Sequence, residues 1–279
     1  MKWLCLLGTV SLWAATTPPT EVGTLTNFSK PTGTADFQTA PAAKSQQVAL
    51  SAGDLEIAWS KLIRTTLTQT DGKWRATGVV SADPTELRQE AQIVEDLRRD
   101  TFERGRLVMR GANDLMPMMA LWDQDGRFRT KTDFLGAPLV VNFIFTSCQN
   151  ARMCPASTQA MRKLADELAR RPALANVRLV SFTFDPETDT PGLLRTYAQG
   201  YGIDFQRHTF LTGREAHLKD LMRHYGILTT RSDGTILHNA ALVIVSPEGR
   251  IVQRREGAVF DYTEVADYLG RLAEPVKTK

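Results

Sequence analysis

Two cysteines and a histidine are the side chains of this chain whose types and spacing could do chemistry. Cys148 and Cys154 stand six positions apart, the first closing an apolar run and the second directly before Pro155. A residue so placed is a candidate helix N-cap, with Pro155 as the first helical residue. A thiol there meets unpaired backbone amides and the positive end of the helix dipole, which favour thiolate over thiol. Positions six apart do not share a helix face, so Gln149 to Met153 must loop back to bring the sulfurs together. Once the Cα atoms come within about 7 Å, a disulfide, a redox pair and two-sulfur metal ligation are all geometrically open. An inert disulfide is the least informative of these, because closing so short a loop restrains the unfolded chain only modestly.

Two thiolates are soft donors that suit Cu(I), and imidazole is a natural third ligand for either copper state. The chain holds four histidines. His217 and His224 lie seven apart on a predicted helix from Arg214 to Tyr225 and read as surface residues. His208 precedes a short strand. His238 differs, since Gly234 to Asn239 reads as a loop leading into the strand Ala240 to Ser246. Met116, Met118 and Met119 are also soft donors, but a Met cluster beside Pro117 reads as core packing.

The elements that must position these groups alternate. Pro138 to Phe145 and Val177 to Phe184 are continuous apolar runs bounded by breakers, which predicts strands buried on both faces. Helices are predicted from Pro155, from Thr190-Pro191 with Thr190 as N-cap, over Arg214 to Tyr225, and over Tyr262 to Leu272; Phe205 to Leu211 reads as a strand. Ala240 to Ser246, the turn Pro247-Glu248-Gly249 and Arg250 to Arg254 form a hairpin, hence an antiparallel sheet edge. The fold class is therefore α/β, with a mixed central sheet flanked by helices in a thioredoxin-like order.

Upstream the pattern weakens. Lys2, the apolar run Trp3 to Trp13 and the small residues Ala14, Ala15 and Thr16 read as an export signal or N-terminal anchor over 1–15, to which Cys5 belongs. The run is shorter than the roughly 18 residues of a spanning helix. Residues 16–47 are Thr-, Pro- and Ala-rich with few aliphatics and read as a flexible tether. Residues 48–112 form an extension of unassigned function, in which Asp83, Pro84 and Gly105 bracket an amphipathic helix. With 34 basic and 31 acidic residues the formal charge is +3, which supplies no polybasic footprint for nucleic acid.

Several segments together resemble the Sco/SenC family: Thr146-Ser147-Cys148, Cys154-Pro155, the run Phe184 to Pro191 containing Asp185-Pro186, Phe210 to Gly213, and His238 ahead of the Val-Ile-Val-Ser-Pro-Glu-Gly hairpin. The resemblance covers residues 113–275. It implies a thioredoxin fold on the outer, periplasmic face of an energy-transducing membrane, and one copper ion per domain held by Cys148, Cys154 and His238. It further implies a supporting role for Asp185 and delivery of copper to the dinuclear centre of a cytochrome c oxidase subunit. The chain departs from the family in its loop, since five residues separate the cysteines where the family usually has three.

The competing function is a thiol-disulfide oxidoreductase in which Cys148 and Cys154 are the catalytic redox pair and a separate thiol reductant is a partner. Thioredoxins, however, carry Cys-x-x-Cys and a proline where this chain reads Asn239-Ala240-Ala241. A thiol peroxidase fits less well, because Thr146 lies too close to Cys148.

Overall fold

The computed structural model describes residues 20–273 apart from 42, 58, 60, 61, 233 and 234. The export signal and Cys5 lie outside the described residues. Among the described residues no helix is long and apolar enough to cross a membrane.

The first five strands are β1 (Thr20–Ser29), β2 (Thr34–Gln38), β3 (Gln46–Ala49), β4 (Ile63–Thr70) and β5 (Lys73–Ser81). They close into a barrel in the order β1-β2-β3-β5-β4, antiparallel throughout except where β3 runs parallel to β5. Residues 20–47 are therefore largely strand, not the flexible tether that composition predicts. The reason is that few apolar side chains suffice when they alternate onto one face of a small closed barrel. Leu25, Ala35, Phe37, Val48, Leu50, Ile63, Ala76 and Val79 fill this one. Threonine, which reads as linker by composition, is a β-branched strand former.

After β5 the chain turns into α1 (Pro84–Arg104) as its boundary residues predict. The Asp83 carboxylate accepts from the amides of Thr85 and Glu86 at 2.8 and 3.3 Å, Pro84 opens the helix, and Gly105 ends it at φ 55°. Helix α1 lies against the second half of the chain, burying Leu97 in its core.

That second half holds β6 (Ala120–Asp123), β7 (Phe128–Thr130), β8 (Leu139–Ile144), β9 (Arg178–Thr183), β10 (His208–Thr212), β13 (Ala241–Val245) and β14 (Ile251–Glu256), with a separate two-stranded ribbon of β11 (Thr229–Ser232) and β12 (Thr235–His238). The main sheet runs β14-β13-β8-β9-β10-β6-β7. Its centre, β8-β9-β10, is parallel, and the flanking strands are antiparallel. Among the described residues the remaining α-helices are α2 (Cys154–Ala169), α3 (Pro191–Gly200), α4 (Glu215–His224) and α5 (Tyr262–Ala273). On one face Met161, Leu164 and Leu168 of α2 and Val265 and Leu269 of α5 pack on Val140, Leu179 and Ile244. On the other face Leu194 of α3 and Leu218 and Leu221 of α4 pack on Val141, Phe143, Phe182 and Phe210. All six residues of β8 are buried, as its unbroken apolar run predicts. This is the mixed, thioredoxin-like α/β sheet expected. Met116 and Met119 lie in its core, while Met118 is partly exposed.

Three expectations change here. His217 and His224 are buried, not surface residues, because α4 turns both inward. The His217 ring accepts from the Ala120 amide at 3.1 Å. Arg110 Nε donates to His224 Nδ1 at 3.0 Å, and His224 Nε2 lies 2.9 Å from Thr101 Oγ1, whose own hydroxyl donates to Leu97 O. Finally, His238 is the last residue of β12 and not part of a loop, since Thr229 to Ser232 pairs antiparallel with Thr235 to His238.

The barrel seats on the start of α3. A Cβ placed on Gly53 would come 1.8 Å from the Gly192 carbonyl oxygen, and one on Gly192 would come 2.3 Å from the Asp54 nitrogen. Only glycine permits so close an approach of two backbones.

Candidate metal centre

Cys148 and Cys154 stand beyond the C-terminal end of β8, where an open α/β sheet has its crevice. Helix α2 begins at Cys154 itself, with Met153 as N-cap and Pro155 second in the helix. The sequence reading is thus one residue late. Pro155 is tolerated because amides of the first turn have no intrahelical acceptor. The shift has a chemical consequence. Cys154 is only 1 % exposed and packs in the core cluster, and burial pushes its thiol well above the ordinary range, a backbone hydrogen bond from the Phe145 amide offsetting this only in part. The thiolate-stabilising placement expected for an N-cap cysteine is therefore not what this residue has. Cys148 is partly exposed and its Sγ faces the Asn150 carbonyl at 3.9 Å. Both cysteines are free.

His238 reaches the pair from the ribbon. Its Nε2 lies 3.6 Å from Cys154 Sγ. Its Nδ1 lies 2.7 Å from the Asn239 carbonyl, which can only accept, so Nδ1 carries the hydrogen and Nε2 keeps its lone pair toward the sulfur. The ring is held by Phe184 at 4.6 Å and by the edge of Phe145 at 5.7 Å between centroids. Burial pulls its pKa below the ordinary histidine value, which favours the neutral, ligating form. The Sγ of Cys148, the Sγ of Cys154 and a ring nitrogen of His238 all lie within 4.8 Å of one another. Among the described residues no other group of three Cys, His, Asp or Glu side chains converges in this way. Two sulfurs and one imidazole nitrogen are a donor set for a soft or borderline ion, copper above all.

Asp185 does not reach this cluster. It is buried, its amide donates to Thr183 Oγ1 at 2.9 Å, and its carboxylate accepts from Arg231 on β11 at 2.9 Å. Arg231 also donates to Glu187 at 2.8 Å. Asp185 thus touches the ribbon that carries His238.

An acid bonded to Thr146, two residues before Cys148, is one the sequence reading passed over. Asp189 is fully buried and accepts from the Thr146 amide at 3.0 Å, from the Thr146 hydroxyl and from the Thr183 hydroxyl. Burial raises its pKa to about 6 against the lowering effect of those hydrogen bonds. Its signal was its place directly before the Thr190-Pro191 helix start, where a side chain can turn back to the strand end.

The second half of the chain is similar to known proteins. The SCO1/SenC family matches residues 108–274. A SCO1 protein homolog of Bacillus subtilis is 27% identical over 139 residues, which are 48% of this chain and 70% of that protein. A Stutzerimonas stutzeri protein credited with copper binding is 29% identical over 160 residues, 55% of this chain and 75% of its own length. Among solved structures, a SCO1/SenC family lipoprotein from Bacillus anthracis aligns at a TM-score of 0.53 and 25% identity, covering 60% of this chain and 99% of that one.

Proposed function

Because this chain belongs to the SCO1/SenC family, we propose that it is an exported copper carrier, holding one Cu(I) or Cu(II) ion through Cys148, Cys154 and His238. The observation that carries this reading is the convergence of two sulfurs and one imidazole nitrogen at the end of β8. Copper binding credited to the Stutzerimonas relative supports the choice of metal. When bound, the ion supplies the positive charge that makes thiolates stable in an otherwise apolar setting. The chain's own residues do the rest. The His238–Asn239 contact fixes the ring tautomer, Phe145 and Phe184 fix its plane, and Cys154 is shielded from water. Cys148, the more exposed sulfur, is the one an incoming copper donor or recipient meets first. Resemblance to the family supports the dinuclear copper centre of cytochrome c oxidase as the recipient in this reading, and the signal-like residues 1–15 support a meeting on the outer face of the membrane.

Cu(II) titration of the reduced protein should yield a sulfur-to-copper charge-transfer band of unit stoichiometry. His238→Ala should weaken binding roughly tenfold or more and shift that band, and Cys148→Ser or Cys154→Ser should abolish it. Unchanged affinity and spectrum in His238→Ala would overturn the reading.

A second reading, reduction of a partner's disulfide, rests on the two free sulfurs lying within reach of one another. One cysteine would attack the partner's disulfide and the other would resolve the mixed disulfide. The partner then leaves as two thiols, this chain keeps a Cys148–Cys154 bond, and an external thiol reductant restores the pair. The upward shift of Cys154 weighs against it as attacking group and leaves Cys148 for that role.

A further inference from the structure

Helices α1 and α4 lie side by side, joined by Arg214 to Glu90 at 2.8 Å at one end and by His224 to Thr101 at 2.9 Å at the other. Between them runs an open groove of about 970 Å³. Val94, Arg98, Phe102 and Arg106 line it from α1 and the turn that follows, and Lys219 and Arg223 line it from α4. Phe102 and Leu107 are 86 % and 80 % exposed, the two most exposed large apolar side chains among the described residues, and Met109 follows at 52 %. Glu90, Leu97 and Thr101 are the buried residues of α1, so neither Phe102 nor Leu107 holds the helix in place. Three large apolar groups this close together on one surface call for a cover.

The charge around these groups is one-sided. Four cations line the groove against one acid, Asp220. Lys219 is paired with Glu215 at 2.7 Å and Arg223 with Asp220 at 3.6 Å, but among the described residues Arg98 and Arg106 have no carboxylate within ion-pair distance. Glu95 and Glu103 fall one position further round α1 and do not line the groove. Free guanidiniums interleaved with a ring and a leucine suit the headgroup boundary of an anionic bilayer, where apolar groups enter the acyl region and long basic side chains stay at the phosphates. The path of the chain favours the same occupant. It enters the structure at Thr20, which lines one cavity with Arg214, the residue at the head of α4. Residues 14–19 alone separate Thr20 from the apolar run Trp3 to Trp13, a reach of about 20 Å, while Phe102 lies about 18 Å along α1 from Glu90. A bilayer that holds this run is within reach of the groove.

We propose that the α1–α4 face rests on an anionic lipid surface, with Phe102 and Leu107 entering the leaflet and Arg98 and Arg106 holding its phosphates. None of these residues belongs to the cysteine and histidine cluster, so the proposal stands or falls independently of copper binding. Their segment, residues 98–107, also precedes the part of the chain that the family matches.

Hydrogen–deuterium exchange of the full chain, with and without vesicles of phosphatidylglycerol and phosphatidylcholine in equal parts, tests this. The readout is local to residues 98–109, so attachment of the chain through residues 1–15 does not enter it. Exchange there should slow several-fold on the mixed vesicles and change little on vesicles of phosphatidylcholine alone. Phe102→Asp with Leu107→Asp should abolish the protection, and Arg98→Gln with Arg106→Gln should remove roughly half of it or more. All four side chains are exposed, so these variants should fold as the unaltered chain does. Unchanged exchange on the mixed vesicles, or protection that survives Phe102→Asp with Leu107→Asp, would overturn the proposal. Equal protection by the two kinds of vesicle would overturn the choice of an anionic surface. Protection that appears without vesicles and grows with protein concentration would also overturn it, and would give the face to a second copy of this chain.

Discussion

Asp189 has no exposed surface, yet it accepts three hydrogen bonds from Thr146, just past the end of β8, and Thr183, the last residue of β9. It ties the start of α3 to the backbone two residues before Cys148. Removing the carboxylate leaves three donors without an acceptor, so Asp189→Ala should lower stability by on the order of 3 kcal/mol in urea unfolding, and Asp189→Asn by less. Wild-type stability in Asp189→Ala would show that the acid is incidental. At this scale the sequence was legible where chemistry is local. Cysteines at a strand-to-helix turn and a late histidine declare themselves by type and place. Both acids are buried, and telling Asp189 from Asp185 required knowing which one reaches Thr146 beside the cysteine loop, which is decided by the path from Asp185 to Thr190 and not by residue type. The protonation state of Cys154 was likewise out of reach, because one step in helix register and burial in the core reverse the effect of the helix dipole.

The ribbon β11-β12 contributes His238 but is not hydrogen-bonded into the main sheet. Arg231, at its outer strand, bonds Asp185 and Glu187 at the end of β9. That pairing pins the ribbon over the cysteine loop. Arg231→Ala should raise amide exchange across residues 229–238 and weaken copper binding a few-fold, with Arg231→Lys intermediate, since Arg231 is half exposed and such pairs contribute about 1 kcal/mol. Exchange unaltered in the ribbon would remove Arg231 from the positioning of His238. Helix ends were readable at this scale, because Asp83, Pro84 and Gly105, or Thr190 and Pro191, act within one turn of themselves. The ribbon was not, because its strands are only four residues each, and only their mutual pairing distinguishes them from a loop.

Across the whole molecule, burial leaves three histidines neutral, with His208 pulled down to about 3 and His217 and His224 to about 4 from an ordinary 6.5. A base whose folded pKa is depressed binds its proton in the unfolded chain first, so stability is full above pH 6.5 and falls as pH drops toward the folded values. Asp189, raised to about 6 from 3.8, acts in the opposite sense, as does Asp54. His238 is lowered too and Asp220 raised, and the three large histidine shifts outweigh the smaller acid shifts over this window, so unfolding free energy should fall by a few kcal/mol between pH 7 and pH 5. Equal denaturant midpoints at the two pH values would refute that. The barrel is the part of the molecule that sequence hid most fully. One of its pairings sets β3 parallel to β5 across some 25 residues, and β1 closes the ring against the still more distant β4; no local pattern announces such pairings.

The contact between Gly53 and Gly192 bears on any attempt to dissect the protein. The family match beginning at residue 108 invites a cut there. Such a fragment would uncover Trp122 and the first turn of α3, and lose α1 with Leu97, so it would offer water a face built to receive another backbone at van der Waals distance. Fragments begun at residue 20 should stay soluble, and those begun at 108 should self-associate through that stripped face.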